Sequence, residues 1–120
     1  MAKQSGEEKA IERTEPTTPR PADAFIESGW SHYSKKDFPQ AVEEFQKALD
    51  LEPDNIDTMY ALGMSQEAGG RIQEATHTFE KVISLLEAGK LADPVRSLML
   101  TRLAHGHINH MRTGDWKMNA

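Results

Sequence analysis

The stretch Ala41-Val-Glu-Glu-Phe-Gln-Lys-Ala-Leu49 returns 34 residues later as Ala75-Thr-His-Thr-Phe-Glu-Lys-Val-Ile83. Ala41 falls on Ala75, Phe45 on Phe79, Lys47 on Lys81, Ala48 on Val82 and Leu49 on Ile83. The same offset carries Gly29 onto Gly63 and Phe38 onto Ile72. A fixed period with small and aromatic residues in step constrains the fold more than any local propensity, because one structural unit must be used again.

Helical periodicity fills each period. Phe25, Ile26, Gly29, Trp30 and Tyr33 cover one broad side of a first helix from about Ala22. Pro39 suits the first turn of a second helix, which runs to about Leu51 with Ala41, Val42, Phe45, Ala48 and Leu49 inward. Glu52-Pro53-Asp54-Asn55 stops it, and Asp54 or Asn55 can cap the third helix. That helix carries Ile56, Met59, Tyr60, Leu62, Gly63 and Met64, and Gly69-Gly70 ends it. The fourth opens near Arg71 and runs to about Ala88, with Gly89 as its break. Asp93-Pro94 reads as N-cap and first residue of a fifth helix ending near Arg112. Leu100, Leu103, Ala104 and His107 match Met59, Leu62, Gly63 and Gln66 at an offset of 41, and Trp116 takes the role of Phe38 and Ile72.

These residues resemble a tetratricopeptide repeat array: Gly29 and Gly63, Ala41 and Ala75, Phe45 and Phe79, and the closing Pro53. Ser28 stands where the family favours leucine, and Glu87 where a second proline would sit. The resemblance implies an all-α, right-handed helical-hairpin solenoid of about two and a half repeats and five helices. The expected units are residues 22–55, 56–89 and a partial 93–116, within a repeat domain over 22–120. Small residues let antiparallel helices approach closely, and Phe45 and Phe79 are expected to fill the gap toward the next unit.

The resemblance also implies that the first helix of each pair lines a concave groove. Carried over by the repeat offset, that face holds Asp23, Ile26, Trp30 and Tyr33, then Asp57, Tyr60, Met64 and Glu67, then Thr101, His105 and Asn109. Aromatic anchors beside a mobile methionine suit a peptide or helix ligand, as in an adaptor or co-chaperone. Some family members grip a C-terminal carboxylate with Lys, Asn and Arg, but this chain has Ile26, Trp30 and Ala61 there. Asp23, Asp57 and Glu67 instead favour an apolar segment flanked by Lys or Arg. The alternative is a self-assembling unit, a homo-oligomer formed through Leu100, Leu103, Ile108, Met111 and Trp116 on the fifth helix and beyond.

Other chemistries lack their parts. A formal charge of −5 and no basic stripe argue against nucleic acid. The chain has no cysteine, so no thiol nucleophile, disulfide or cysteine zinc site. His105, His107 and His110 do not converge on one helix face, so no metal and no cofactor is expected. No phosphate loop or acid–base pair suggests an enzyme. No stretch approaches a membrane span or a signal peptide, so a cytoplasmic protein is expected. Residues 1–21 hold one large aliphatic, Ile11, and close on Pro16, Pro19 and Pro21, so a disordered leader is expected.

Overall fold

A computed structural model describes residues 19–114. The expected leader lies almost wholly outside that range, and so does Trp116. Five helices follow in order: α1 Pro21–Ser34, α2 Phe38–Leu51, α3 Ile56–Ala68, α4 Ile72–Glu87 and α5 Pro94–Thr113. Each packs on the next, giving an all-α stack of helical hairpins.

The boundaries follow from local chemistry. The Asn55 side chain accepts from the Thr58 N–H at 3.1 Å, and Asp93 accepts from Val95 and Arg96. α3 closes in a Schellman turn: the Arg71 N–H reaches the Gln66 carbonyl at 2.8 Å, and Gly70 adopts φ 83°. The turn after α1 is built the same way, with Asp37 N–H on the His32 carbonyl at 2.9 Å. Its left-handed residue is Lys36, at φ 63°, 34 positions before Gly70.

The repeated glycines have a tight steric role. A Cβ on Gly29 would lie 2.6 Å from Phe45 Cε1, and one on Gly63 would lie 2.9 Å from Phe79 Cε1. Each phenylalanine therefore fills space inside its own hairpin as well as toward the next one. Ala41, Phe45 and Leu49 of α2 bury against Ala61 and Leu62 of α3. Ala75, Phe79, Val82, Ile83 and Leu86 of α4 do the same with Ile56 on one side and Ala104 and Ile108 of α5 on the other. Each second helix is thus the joint between two units, as expected of a stack with nearest-neighbour contacts.

The third unit sits in a different register from the one expected. Ala61 and Ala104 are both fully buried, and Gly63 and Gly106 are both buried. These pairs set an offset of 43 (104 minus 61, 106 minus 63); at 41, the exposed Arg102 would replace buried Ala61. Burial also corrects the self-association face. Ile108 lies in the α4–α5 core, and Leu100 and Met111 pack against the same cluster. Ile108 is therefore not available to a second chain, whereas Leu100 and Met111 are only partly buried. The exposed apolar residues of α5 are Val95, Leu98 and Met99. Leu103 is half-buried.

Candidate functional site

α1, α3 and α5 contribute to one open hollow of about 550 Å³, lined by Tyr33, Met64, Glu67 and His107 together with Ala68, Ile72, His110 and Met111. The hollow spans all three units. Beside its Tyr33 wall, Trp30 stands edge-on to Tyr33 at 5.5 Å and to Phe45 at 5.2 Å. Trp30 keeps 42% of its surface exposed and Ile72 keeps 41%, so both offer apolar area to a ligand. Ile26 is half-buried against the first core cluster.

The third unit reaches this hollow through His107, His110 and Met111 instead of the expected Thr101, His105 and Asn109. At an offset of 43, Leu100, Leu103, His107 and His110 take the places of Asp57, Tyr60, Met64 and Glu67. His105, expected in the groove with Thr101 and Asn109, is two residues from His107 and so about 200° around the helix. It is His107 that meets Tyr60 and Glu67. The signal for this was present in Gly106, which marks the same step as Gly29 and Gly63.

His107 is held on three sides. Its Nδ1 lies 2.7 Å from Glu67 Oε1, and its Nε2 lies 2.9 Å from the Tyr60 hydroxyl. With the ring proton on Nδ1, the imidazole donates to the carboxylate and accepts from the phenol, which satisfies all three groups. The ring also stacks on Phe79, with centroids 4.6 Å apart and planes 5° from parallel. His110 Nδ1 approaches the other carboxylate oxygen, Glu67 Oε2, at 3.7 Å. Burial, then the Glu67 charge, then Tyr33 hold the Tyr60 phenol above its ordinary pKa, which keeps it a neutral hydrogen-bond donor. This network locks α3 to α5 beneath the hollow.

The acidic residues expected to attract a basic ligand are already engaged. Asp23 is bonded by Arg20, through the backbone N–H at 2.9 Å and the guanidinium at 2.8 Å, and these bonds hold its carboxyl below the ordinary range. Asp57 receives Arg96 at 2.6 Å, and Glu67 faces His107 and His110. Asp23 and Asp57 therefore carry paired charge, whereas Glu67, bonded to a neutral His107, keeps its negative charge at the hollow. Ala61, compared above with a carboxylate clamp, is fully buried in the core and is not a groove position.

Among the described residues, no group of three or more His, Asp or Glu is arranged to hold a metal ion. No described helix is long and apolar enough to cross a membrane.

Comparison with known proteins follows the same repeat. A family model described as TPR repeat matches residues 29–70, and one described as Tetratricopeptide repeat matches residues 57–85. A 72-residue stretch, 60% of the chain, is 29% identical to superkiller protein 3 of Saccharomyces cerevisiae. That stretch corresponds to 5% of the yeast protein's length.

Proposed function

Since the chain belongs to the tetratricopeptide repeat family, whose repeats generally serve protein–protein interaction, we propose that it is an adaptor that holds a peptide or helical segment against the hollow formed by α1, α3 and α5. One observation carries this reading: Tyr33, Met64 and His107, from three successive units, line one open cleft, with Trp30 packed edge-on against Tyr33. The network beneath it supplies rigidity, since His107 is fixed by Glu67, Tyr60 and Phe79 before any ligand arrives. Because Asp23 and Asp57 are paired with arginines, affinity comes mainly from apolar burial, and the Glu67 charge in the lining favours a Lys or Arg flanking the apolar segment. The role is binding rather than catalysis. The raised phenol of Tyr60 fits that role, as a nucleophile or base would need the opposite shift.

The test places a photo-crosslinking amino acid at Met64 and identifies the captured segment by mass spectrometry. Ile72→Glu puts a charge at an exposed position in the cleft wall and leaves the core intact. A segment captured through position 64 and lost in Ile72→Glu, at equal helicity, supports the groove. Capture unchanged by Ile72→Glu, or none at all, refutes it.

A further inference from the structure

Tyr33, Glu67 and His110 occupy equivalent positions of the three units (67 minus 33 is 34, and 110 minus 67 is 43), and all three line the cleft. The middle member is a carboxylate whose side chain is only 17% exposed. Its two oxygens differ. Oε1 receives the His107 Nδ1–H at 2.7 Å. Oε2 has no hydrogen bond among the described residues, and His110 Nδ1, at 3.7 Å, lies beyond hydrogen-bond length from it. Oε2 is not sealed from solvent, so it opens on the cleft that Glu67 lines. A partly desolvated negative charge gains most from a cation. The side chains beside it, Met64, Ile72 and Met111, suit an aliphatic stem.

We propose, on the reading that this cleft holds the ligand, that it takes a lysine of that ligand with the ammonium on Glu67 Oε2, and that a proton on His110 competes for the same oxygen. Lysine is favoured over arginine by the oxygens on offer. A guanidinium binds a carboxylate best through two parallel bonds, one to each oxygen, and Oε1 is already taken by His107. An ammonium is a compact point charge that one oxygen can hold. The competition follows from the same geometry. A neutral His110 leaves the carboxylate its charge, whereas a protonated one sets a positive charge 3.7 Å from Oε2, where the ligand's cation would sit. The other groups facing Glu67 do not play this part. His107 Nε2 already accepts from the Tyr60 hydroxyl at 2.9 Å, so a proton there would break that bond. Tyr60 on α3 and Tyr33 on α1 are phenols, which carry no positive charge in either state, and α4 contributes the uncharged Ile72. Lysine keeps its charge throughout the range in which histidine titrates, so binding weakens as pH falls.

The test needs no captured segment. Hexylammonium, hexylguanidinium and hexanol stand for a lysine, an arginine and an uncharged aliphatic chain. Each is titrated at low salt into the full 120-residue chain, labelled with carbon-13 at its methionine methyl groups. The Met64 and Met111 methyl shifts report binding in the cleft. At about pH 7.5 hexylammonium should bind roughly threefold tighter than either other probe, and Glu67→Gln, which keeps an acceptor for His107, should erase that advantage. At about pH 5.5 the advantage should vanish in the wild type and persist in His110→Gln. Circular dichroism at both pH values checks that each variant is folded, and the comparison of probes in the wild type stands without them. Hexanol bound as tightly as hexylammonium, a tighter hexylguanidinium, or a preference that survives Glu67→Gln would overturn the lysine site and leave the cleft to the crosslinking test at Met64. No shift with any probe would overturn it as well. An advantage that holds at the lower pH in the wild type, or is lost there equally in His110→Gln, would overturn the competition by His110.

Discussion

Gly29→Ala is the sharpest test of how the hairpins close. The added methyl carbon would sit 2.6, 2.8 and 2.8 Å from Cε1, Cδ1 and Cζ of Phe45. Two effects compete. Alanine is favoured over glycine inside a helix by about 1 kcal/mol. Over-packing a filled core costs about 1–3 kcal/mol. The Phe45 ring is fully buried and braced by Trp30 edge-on at 5.2 Å, so it cannot yield without moving a second ring. The cost therefore falls at the upper end, and the net loss is about 1–2 kcal/mol. In a domain of this size that lowers Tm by about 4–8 °C per kcal/mol. Gly63→Ala provides an internal scale, because its contacts with Phe79 are looser, at 2.9, 2.9 and 3.2 Å. Thermal and urea melts followed by circular dichroism should rank wild type above Gly63→Ala and Gly63→Ala above Gly29→Ala. Adding Phe45→Leu to Gly29→Ala should return about 1 kcal/mol of coupling in a double-mutant cycle. A Gly29→Ala protein that melts at or above the wild-type temperature would refute the steric argument, since helix propensity would then have outweighed the contact.

Further expectations concern other sites. Lys36→Gly should raise stability by up to about 1 kcal/mol in urea unfolding, because Lys36 bears a left-handed φ of 63° where the next repeat has Gly70. His107→Ala should destabilise by about 1–3 kcal/mol by leaving the Glu67 carboxylate short of a partner, and should be less than additive with Glu67→Gln. In a Tyr33→Phe background, absorbance near 295 nm should show Tyr60 ionising above its ordinary value of 10.0, and Glu67→Gln should bring it back toward that value. The sign of the linked stability follows: the unfolded phenol loses its proton first, so this contribution is complete below pH 10.0 and declines as pH rises through the folded value.

The sequence alone determined the repeat and nearly all of its punctuation. Gly29 and Gly63, Ala41 and Ala75, and Phe45 and Phe79 announce a hairpin whose helices nearly touch, and steric exclusion makes such positions legible wherever they recur. Asn55, Asp93-Pro94 and Gly70 mark helix ends because capping and left-handed turns are local chemistry. The third unit was harder to place. Its linker differs in length, and the sequence pattern favoured an offset of 41 through Leu100 and Leu103 where burial sets 43. Two residues on a helix are about 200°, so this error exchanged His107 for His105 in the groove. Only packing could choose, since Ala104 and Ile108 declare their side by what covers them. The groove's charge was likewise invisible in one dimension. Asp57 is 39 residues from Arg96, and Glu67 is 40 from His107. Counting acids indicates a negative surface, but ion pairing depends on distances of a few ångströms that the tertiary fold alone sets.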